Sequence, residues 1–309
     1  MDEKFFEKYI ANRKPLIRVI CRTRQWSGLE ESNIYNWLEN FKSTFGKYLA
    51  IKLLIHSIYY SEKDIITLLE YGIRELIHSK KIRLQLITDN NIYLPRSETN
   101  AILKNLIINS AFVPLLDDTK PGESANQMAR YLIQKVSINP SQTYFINNLT
   151  DFKIKKSSSI IFLDDCIGSG NQLSDFFDRH EVKDKIAIAV QNKVPIYYLI
   201  ISGYKKNIES IKSNPKFKNI NIIACSELSD TDRVFNKNNI IWRDEDEYEK
   251  AMEYFVNLER NTGIEMYGHA GLDFSVFIHN TIPDWSLPLY WMENADWVPL
   301  MRRKNSNNF

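Results

Sequence analysis

The sequence predicts an α/β fold: a parallel sheet with helices on both faces, preceded by a helical N-terminal region. Three observations predict it. Between residues 112 and 224, apolar runs of strand length alternate with polar, helix-period segments, the pattern of βαβ units. Upstream, from Ser32, apolar residues recur at helical spacing. Between these limits, residues 157–177 (SSSIIFLDDCIGSGNQLSDFF) read as a buried strand, two adjacent carboxylates, a glycine loop and a helix start. Such a turn attracts an anion to backbone N–H groups and to the positive end of a helix.

Composition narrows the class. The chain has 309 residues, enough for one large domain or two modest ones, with 44% hydrophobic and 25% charged residues, as in an ordinary globular protein. A net charge of +2 leaves no global basic footprint for nucleic acid. The N-terminus is charged from its second residue and lacks a signal peptide's apolar core, and no apolar run has membrane-spanning length. Cys21, Cys166 and Cys225 are odd in number without paired metal-ligand spacing, which points to reduced thiols. The expectation is a cytoplasmic protein with no membrane association. Oligomeric state is not readable.

In chain order, residues 1–30 are rich in Lys and Arg and read as a solvated surface segment. Ile34, Trp37, Leu38, Phe41 and Phe45 share a helical face, as core rather than as a base-stacking surface. Gly46 interrupts, and residues 48–60 resume as an apolar helix. Residues 61–64 (SEKD) suggest a capping box before a third helix with Ile65, Leu69, Ile73 and Leu76. Residues 82–87 (IRLQLI) alternate as a strand, and Ser97 is a candidate cap for a helix over 101–108. The boundary is placed near Pro95, giving a helical region over 1–95 and an α/β domain over 96–309. Strands follow at 112–116, 143–146, 160–163, 195–202 and 220–224, with helices at about 125–136 and 205–213. A helix at 245–258, a strand at 273–280 and a Trp/Pro-rich end complete the chain. In such sheets ligands sit at the carboxyl ends of strands near a switch in strand order. The turn at Asp164–Gln172 is placed there.

The run IIFLDDCIGSGNQ resembles the ribose-phosphate motif of type I phosphoribosyltransferases. The resemblance implies that Asp164 and Asp165 bind the ribose hydroxyls of phosphoribosyl pyrophosphate, directly or through Mg²⁺. It implies that Gly168, Ser169, Gly170, Asn171 and Gln172 hold the 5′-phosphate. Glycines permit close backbone approach and Ser169 adds a donor. Gln172 stands where that family usually has Thr or Ser.

The likeness extends to phosphoribosyltransferase-like proteins of bacterial conflict and antiphage defence systems, including effectors encoded beside retron reverse transcriptases. It is carried by KPGES (residues 120–124), by SELSDTDRVF (226–235) and by YGHAGLDFSVFIHNTIPDWSLPLYW followed by WVPLMRR. It implies a pyrophosphate loop containing Lys120, Gly122, Glu123 and Ser124, in which an ordinary Pro-Gly turn capped by Ser is an equal reading. It also implies a C-terminal hood, with His279, Asn280, Thr281, Trp291 and Arg302 as candidate hood or acceptor-site residues, each of which taken singly reads better as a packing or turn residue.

One departure matters. Base-using members that act on purines often carry Asp at the place of Gly168, as general base, and Glu123 is the candidate substitute carboxylate. The expected function is therefore an effector that transfers or cleaves at the ribose anomeric carbon. The alternative is a non-catalytic phosphoribosyl-binding module controlling a partner, such as a reverse transcriptase with its RNA/DNA. Ordinary nucleobase salvage is the weaker third reading.

Overall fold

The apolar runs of the middle of the chain pair as parallel strands. The computed structural model describes residues 3–23, 25–26, 28–89, 94–115, 124–279 and 281–302. In order, the chain forms α1 (Glu3–Arg22), α2 (Glu31–Leu38), α3 (Thr44–Ile55), β1 (Ile58–Tyr60), α4 (Glu62–Tyr71), a π-helical segment (Gly72–Ser79), α5 (Lys80–Thr88) and α6 (Arg96–Ile108). Then come β2 (Ser110–Pro114), α7 (Ser124–Gln134), α8 (Asp151–Lys156), β3 (Ser159–Ile167), α9 (Asn171–Asp178), α10 (His180–Gln191) and β4 (Ile196–Tyr204). The last elements are α11 (Lys205–Ser213), β5 (Ile220–Leu228), α12 (Glu245–Thr262) and β6 (Val276–Ile278). Among the described residues, no helix is long and apolar enough to cross a membrane.

The chain divides into two compact units: Asp64–Leu228, and Met1–Lys63 together with Ser229–Phe309. The boundary placed at 95/96 lies inside the first of these.

In the unit Asp64–Leu228, β2, β3, β4 and β5 form a parallel sheet in that order. The strand order runs one way, so the switch in order expected at the site is absent from the described strands. Side chains alternate between faces along each strand. Ile160, Phe162, Ile196, Tyr198, Ile200 and Ile222 share a core with Leu173, Phe176 and Phe177 of α9 and Ile208 and Ile211 of α11. The opposite face meets the helical rod α4–π–α5: a Cβ on Gly72 would lie 2.7 Å from Leu199 Cδ1, and Cys225 Sγ donates to Leu68 O (3.1 Å). At the amino ends of the strands, Ser110 Oγ bonds Ser159 Oγ (2.9 Å) and the buried His78 Nε2 (3.1 Å).

The other unit joins the two ends of the sequence. Trp37 Nε1 and Trp297 Nε1 both donate to the Leu289 carbonyl (2.8 and 3.1 Å). The Asn40 amide donates to Val298 O (2.7 Å) and accepts from Val298 N–H (3.0 Å). Strand β1 pairs in parallel with β6. Trp37 and Phe41 are fully buried, as expected of core residues. On α1, Phe6 and Ile17 are buried while Lys4, Lys8, Arg13, Lys14, Arg18 and Arg22 are exposed.

Several local expectations are corrected. Residues 82–87 are helical in α5. Six residues are too few to fix a period, and Leu84 and Ile87 are exposed. Gly46 does not interrupt a helix but lies in the first turn of α3, its N–H donating to Ser43 Oγ (3.0 Å). A side chain there would collide with the Tyr254 ring. The helix expected through residue 60 stops at Ile55, because Ile58, Tyr59 and Tyr60 pair as β1. Ser97 does not cap α6, whose cap position is Pro95. The strand expected at 143–146 is reduced to one bridge, Thr143 to Phe112, before a turn at Ile146–Asn148.

Candidate functional site

The site is built where β3 ends and α9 begins. Apolar residues carry β3 into the core, and its last turn of sequence changes character at Asp164. Both carboxylates are buried, Asp164 3% and Asp165 7% exposed. Regular register through Asp164↔Ile200 and Cys166↔Ser202 keeps the alternation intact. Asp164 therefore shares the face of Phe162 and Tyr198, and Asp165 takes the opposite face.

Each Asp164 oxygen has a donor. Oδ1 accepts from the Asp165 N–H (2.9 Å) and Oδ2 from the Tyr198 hydroxyl (3.1 Å). Asp165 Oδ1 accepts from the Cys166 N–H (2.7 Å). Burial, with the Asp165 charge adding to it, holds the Asp164 carboxyl well above the usual carboxylate range. Burial beside Asp164 likewise pushes the Tyr198 phenol up.

The loop follows directly. Gly168, Ser169 and Gly170 are half-buried, and Asn171 and Gln172, the first residues of α9, are exposed. Gly170 occupies the helix cap with φ 84°, ψ 5°, a left-handed conformation that glycine adopts without steric penalty. Asn171 N–H is 3.4 Å from Ser169 Oγ, and Gly168 O accepts from Asn207 Nδ2 (2.8 Å). The first N–H groups of α9 have no intrahelical acceptor, and the helix dipole adds positive potential there. Strand end, carboxylate pair and helix start are thus consecutive in the chain.

The turn also bears on Mg²⁺. Two carboxylates are the hard-oxygen donors that Mg²⁺ takes from protein when waters and substrate oxygens complete its octahedron. Among the described residues no group of three or more His, Cys, Asp or Glu side chains is arranged to hold a metal. Asp164 and Asp165 are the residues of this turn whose donor type would suit such an ion.

Of the other expected site residues, Lys120, Gly122 and Glu123 lie outside the described residues, and Ser124 is described only as the first residue of α7. Strand β2 ends next to the acid pair, since the Leu115 N–H donates to Leu163 O (2.8 Å). The hood candidates belong to the other compact unit. There His279 adopts φ 45°, with its N–H donating to Tyr60 O (2.7 Å). Thr281 and Ile278 exchange backbone hydrogen bonds (2.9 and 3.0 Å), Trp291 Nε1 donates to Ser286 O (3.1 Å), and Arg302 pairs with Glu293 (2.6 Å). Asn280 lies outside the described residues.

Tyr198 and Asn207 were missed from sequence. The signal for Tyr198 was present: a tyrosine inside an apolar strand run needs a partner for its hydroxyl. Asn207, in the first turn of α11, carried none.

These features define a class: an α/β protein with a strand–loop–helix turn at the carboxyl end of a parallel sheet. The family model described as PRTase-CE matches residues 34–303. The chain belongs to this family of phosphoribosyltransferase-like proteins. No curated protein matches the chain, and no solved structure does.

Proposed function

We propose that the protein binds a ribose-phosphate ligand such as phosphoribosyl pyrophosphate and transfers or cleaves at the ribose anomeric carbon, as an effector in bacterial antiphage defence. The observation that carries this reading is the direct succession of a buried carboxylate pair and a left-handed glycine opening a helix, at Asp164, Asp165 and Gly170. Asp164 and Asp165 orient the ribose hydroxyls. Backbone N–H groups from Gly168 to Gln172 and the Ser169 hydroxyl hold the 5′-phosphate. Lys120, Gly122 and Ser124 receive the pyrophosphate, as the family resemblance implies. Bound Mg²⁺ would supply charge neutralisation at the pyrophosphate.

In this scheme the bond from the anomeric carbon to pyrophosphate breaks and pyrophosphate leaves with the electron pair. The nucleophile of the acceptor adds to that carbon and gives up its proton to a base, for which Glu123 is the candidate. Holding the ribose and its phosphate rigidly supplies much of the rate enhancement.

One observation favours a second reading, a non-catalytic module that controls a partner such as a reverse transcriptase. The loop position that carries an Asp in base-using relatives is Gly168, and Asn207 holds its carbonyl, so this position offers no proton acceptor of its own.

Calorimetry with phosphoribosyl pyrophosphate and Mg²⁺ on wild type and on Asp164→Asn/Asp165→Asn tests the pocket. Heat in wild type and none in the double variant is expected; equal heats overturn the assignment. Expression with the neighbouring genes, with and without phage, tests the effector role. Undiminished toxicity of the double variant would remove this pocket from it.

A further inference from the structure

We infer that strand β4 and helix α11 act as the backing frame of the candidate site, with Tyr198 and Asn207 as positioning residues for its ribose half and its phosphate half. The inference rests on the ribose-phosphate reading above and assigns roles to two residues outside the strand–loop–helix motif.

Four contacts run from this one strand–helix segment to successive members of the motif. Tyr198, in the middle of β4, donates to Asp164 Oδ2 (3.1 Å). Gly203, near the end of β4, pairs with Ile167, and a Cβ there would come within 2.5 Å of Ile167 Cγ2. Asn207 Nδ2 donates to Gly168 O (2.8 Å). Ile211 lies behind Gly170, where a Cβ would meet its Cδ1 at 2.7 Å.

Each contact has a consequence for the ligand. A buried carboxylate needs a donor to hold one orientation. The Asp165 N–H and the Tyr198 hydroxyl both donate to Asp164, and Tyr198 is the donor contributed by a different strand. Removing the hydroxyl leaves Oδ2 unsatisfied and the carboxylate free to turn from the strand end. At the loop, the described chain has no cis peptides. In a trans peptide the carbonyl and the following N–H point in opposite directions. Because Asn207 draws the Gly168 carbonyl toward α11, the Ser169 N–H is turned away from that helix. Asn207 thus sets the peptide plane that an arriving phosphate meets. Ile211 closes the space into which Gly170 would otherwise relax. A site held this way needs little reorganisation on binding.

The test separates the two halves by ligand. Ribose 5-phosphate samples both, and inorganic phosphate samples only the loop. Each is titrated, by calorimetry and by phosphorus NMR, against wild type, Tyr198→Phe and Asn207→Ala, with circular dichroism confirming that each variant is folded. Tyr198→Phe is expected to weaken ribose 5-phosphate roughly ten-fold, the equivalent of one hydrogen bond, and to leave inorganic phosphate unchanged. Asn207→Ala is expected to weaken both ligands by a similar roughly ten-fold factor. Asn207→Asp, which sets a carboxylate against the Gly168 carbonyl, is expected to weaken both further.

Wild-type affinity for both ligands in Tyr198→Phe and Asn207→Ala overturns this inference alone. Equal weakening of both ligands by Tyr198→Phe also overturns it, since that marks a general structural role. If wild type binds neither ligand, the ribose-phosphate reading falls, and this inference with it.

Discussion

Glu247 and Asp164 are both buried carboxylates that accept from a tyrosine hydroxyl, and they differ in what else reaches them. Glu247, fully buried in the first turn of α12, accepts from Lys52 Nζ at 2.6 and 2.7 Å, from the Arg243 N–H at 2.7 Å and from the Tyr48 hydroxyl. Asp164 accepts from a tyrosine hydroxyl and a backbone N–H, both neutral, and its chain neighbour is another carboxylate. Burial pushes both groups up. At Glu247 the hydrogen bonds from Lys52 and Tyr48 outweigh burial, and the group ends below its ordinary value of 4.5. At Asp164 burial and the Asp165 charge prevail, and it ends well above 3.8. Lys52 shows the reciprocal effect, lowered by burial against the pull of Glu247. The first cluster is compensated within the fold and ties α3 to α12. At Asp164 the donors among the described residues are neutral and the carboxyl stays raised, a condition found where carboxylates answer to ligands.

The largest effect expected from this contrast is at Glu247. Glu247→Ala leaves the buried Lys52 ammonium without its counter-charge and should cost about 3–5 kcal/mol in chemical denaturation. Next in size is an acid limb from His78, fully buried in the π-helical segment and pushed down to about 4 by burial. Between its ordinary 6.5 and about 4, the unfolded chain binds the extra proton, so stability falls as pH drops through that window. Comparing wild type with His78→Gln should show this limb flattened in the variant.

Smaller and opposite in sign is Asp164→Asn. A group raised in the folded state contributes stability below its unfolded value and loses it as pH rises. Removing the ionisable group should therefore raise Tm at neutral pH, by about 2–4 °C if the gain is near 1 kcal/mol, while ribose-phosphate binding weakens. A fall in Tm for this variant would show that Asp164 is structural like Glu247. The smallest net change is expected in the double variant Lys52→Met/Glu247→Leu. Replacing both partners by apolar groups is often close to neutral, so it should recover most of the stability that Glu247→Ala loses. If the double variant is as unstable as the single one, the cluster does more than balance its own charge.

Much of the candidate site was legible because its signals are local. An apolar strand, an acid pair and a glycine turn occupy consecutive residues, and Gly170 takes the left-handed cap that such a turn requires. The strands at β2, β3, β4 and β5 were readable for a similar reason, as buried parallel strands are short continuous apolar runs. Residues 82–87 failed the same test. Their alternation was too short to outweigh the helical rod that precedes them, from Glu62 through Ser79.

The sequence by itself determined the strand–loop–helix turn and the order of helices and strands around it. These follow from spacing along a few neighbouring residues. Tertiary structure decided what lies far apart in the chain. It brought Tyr198 and Asn207 to Asp164 and Gly168, across separations of 34 and 39 residues. It also made one unit of the helical leader and the Trp/Pro-rich end, with Trp37 and Leu289 separated by 252 residues. The physical reason is that a buried hydroxyl, indole or carbonyl must find a partner, and nothing in its neighbouring sequence says which distant group that will be.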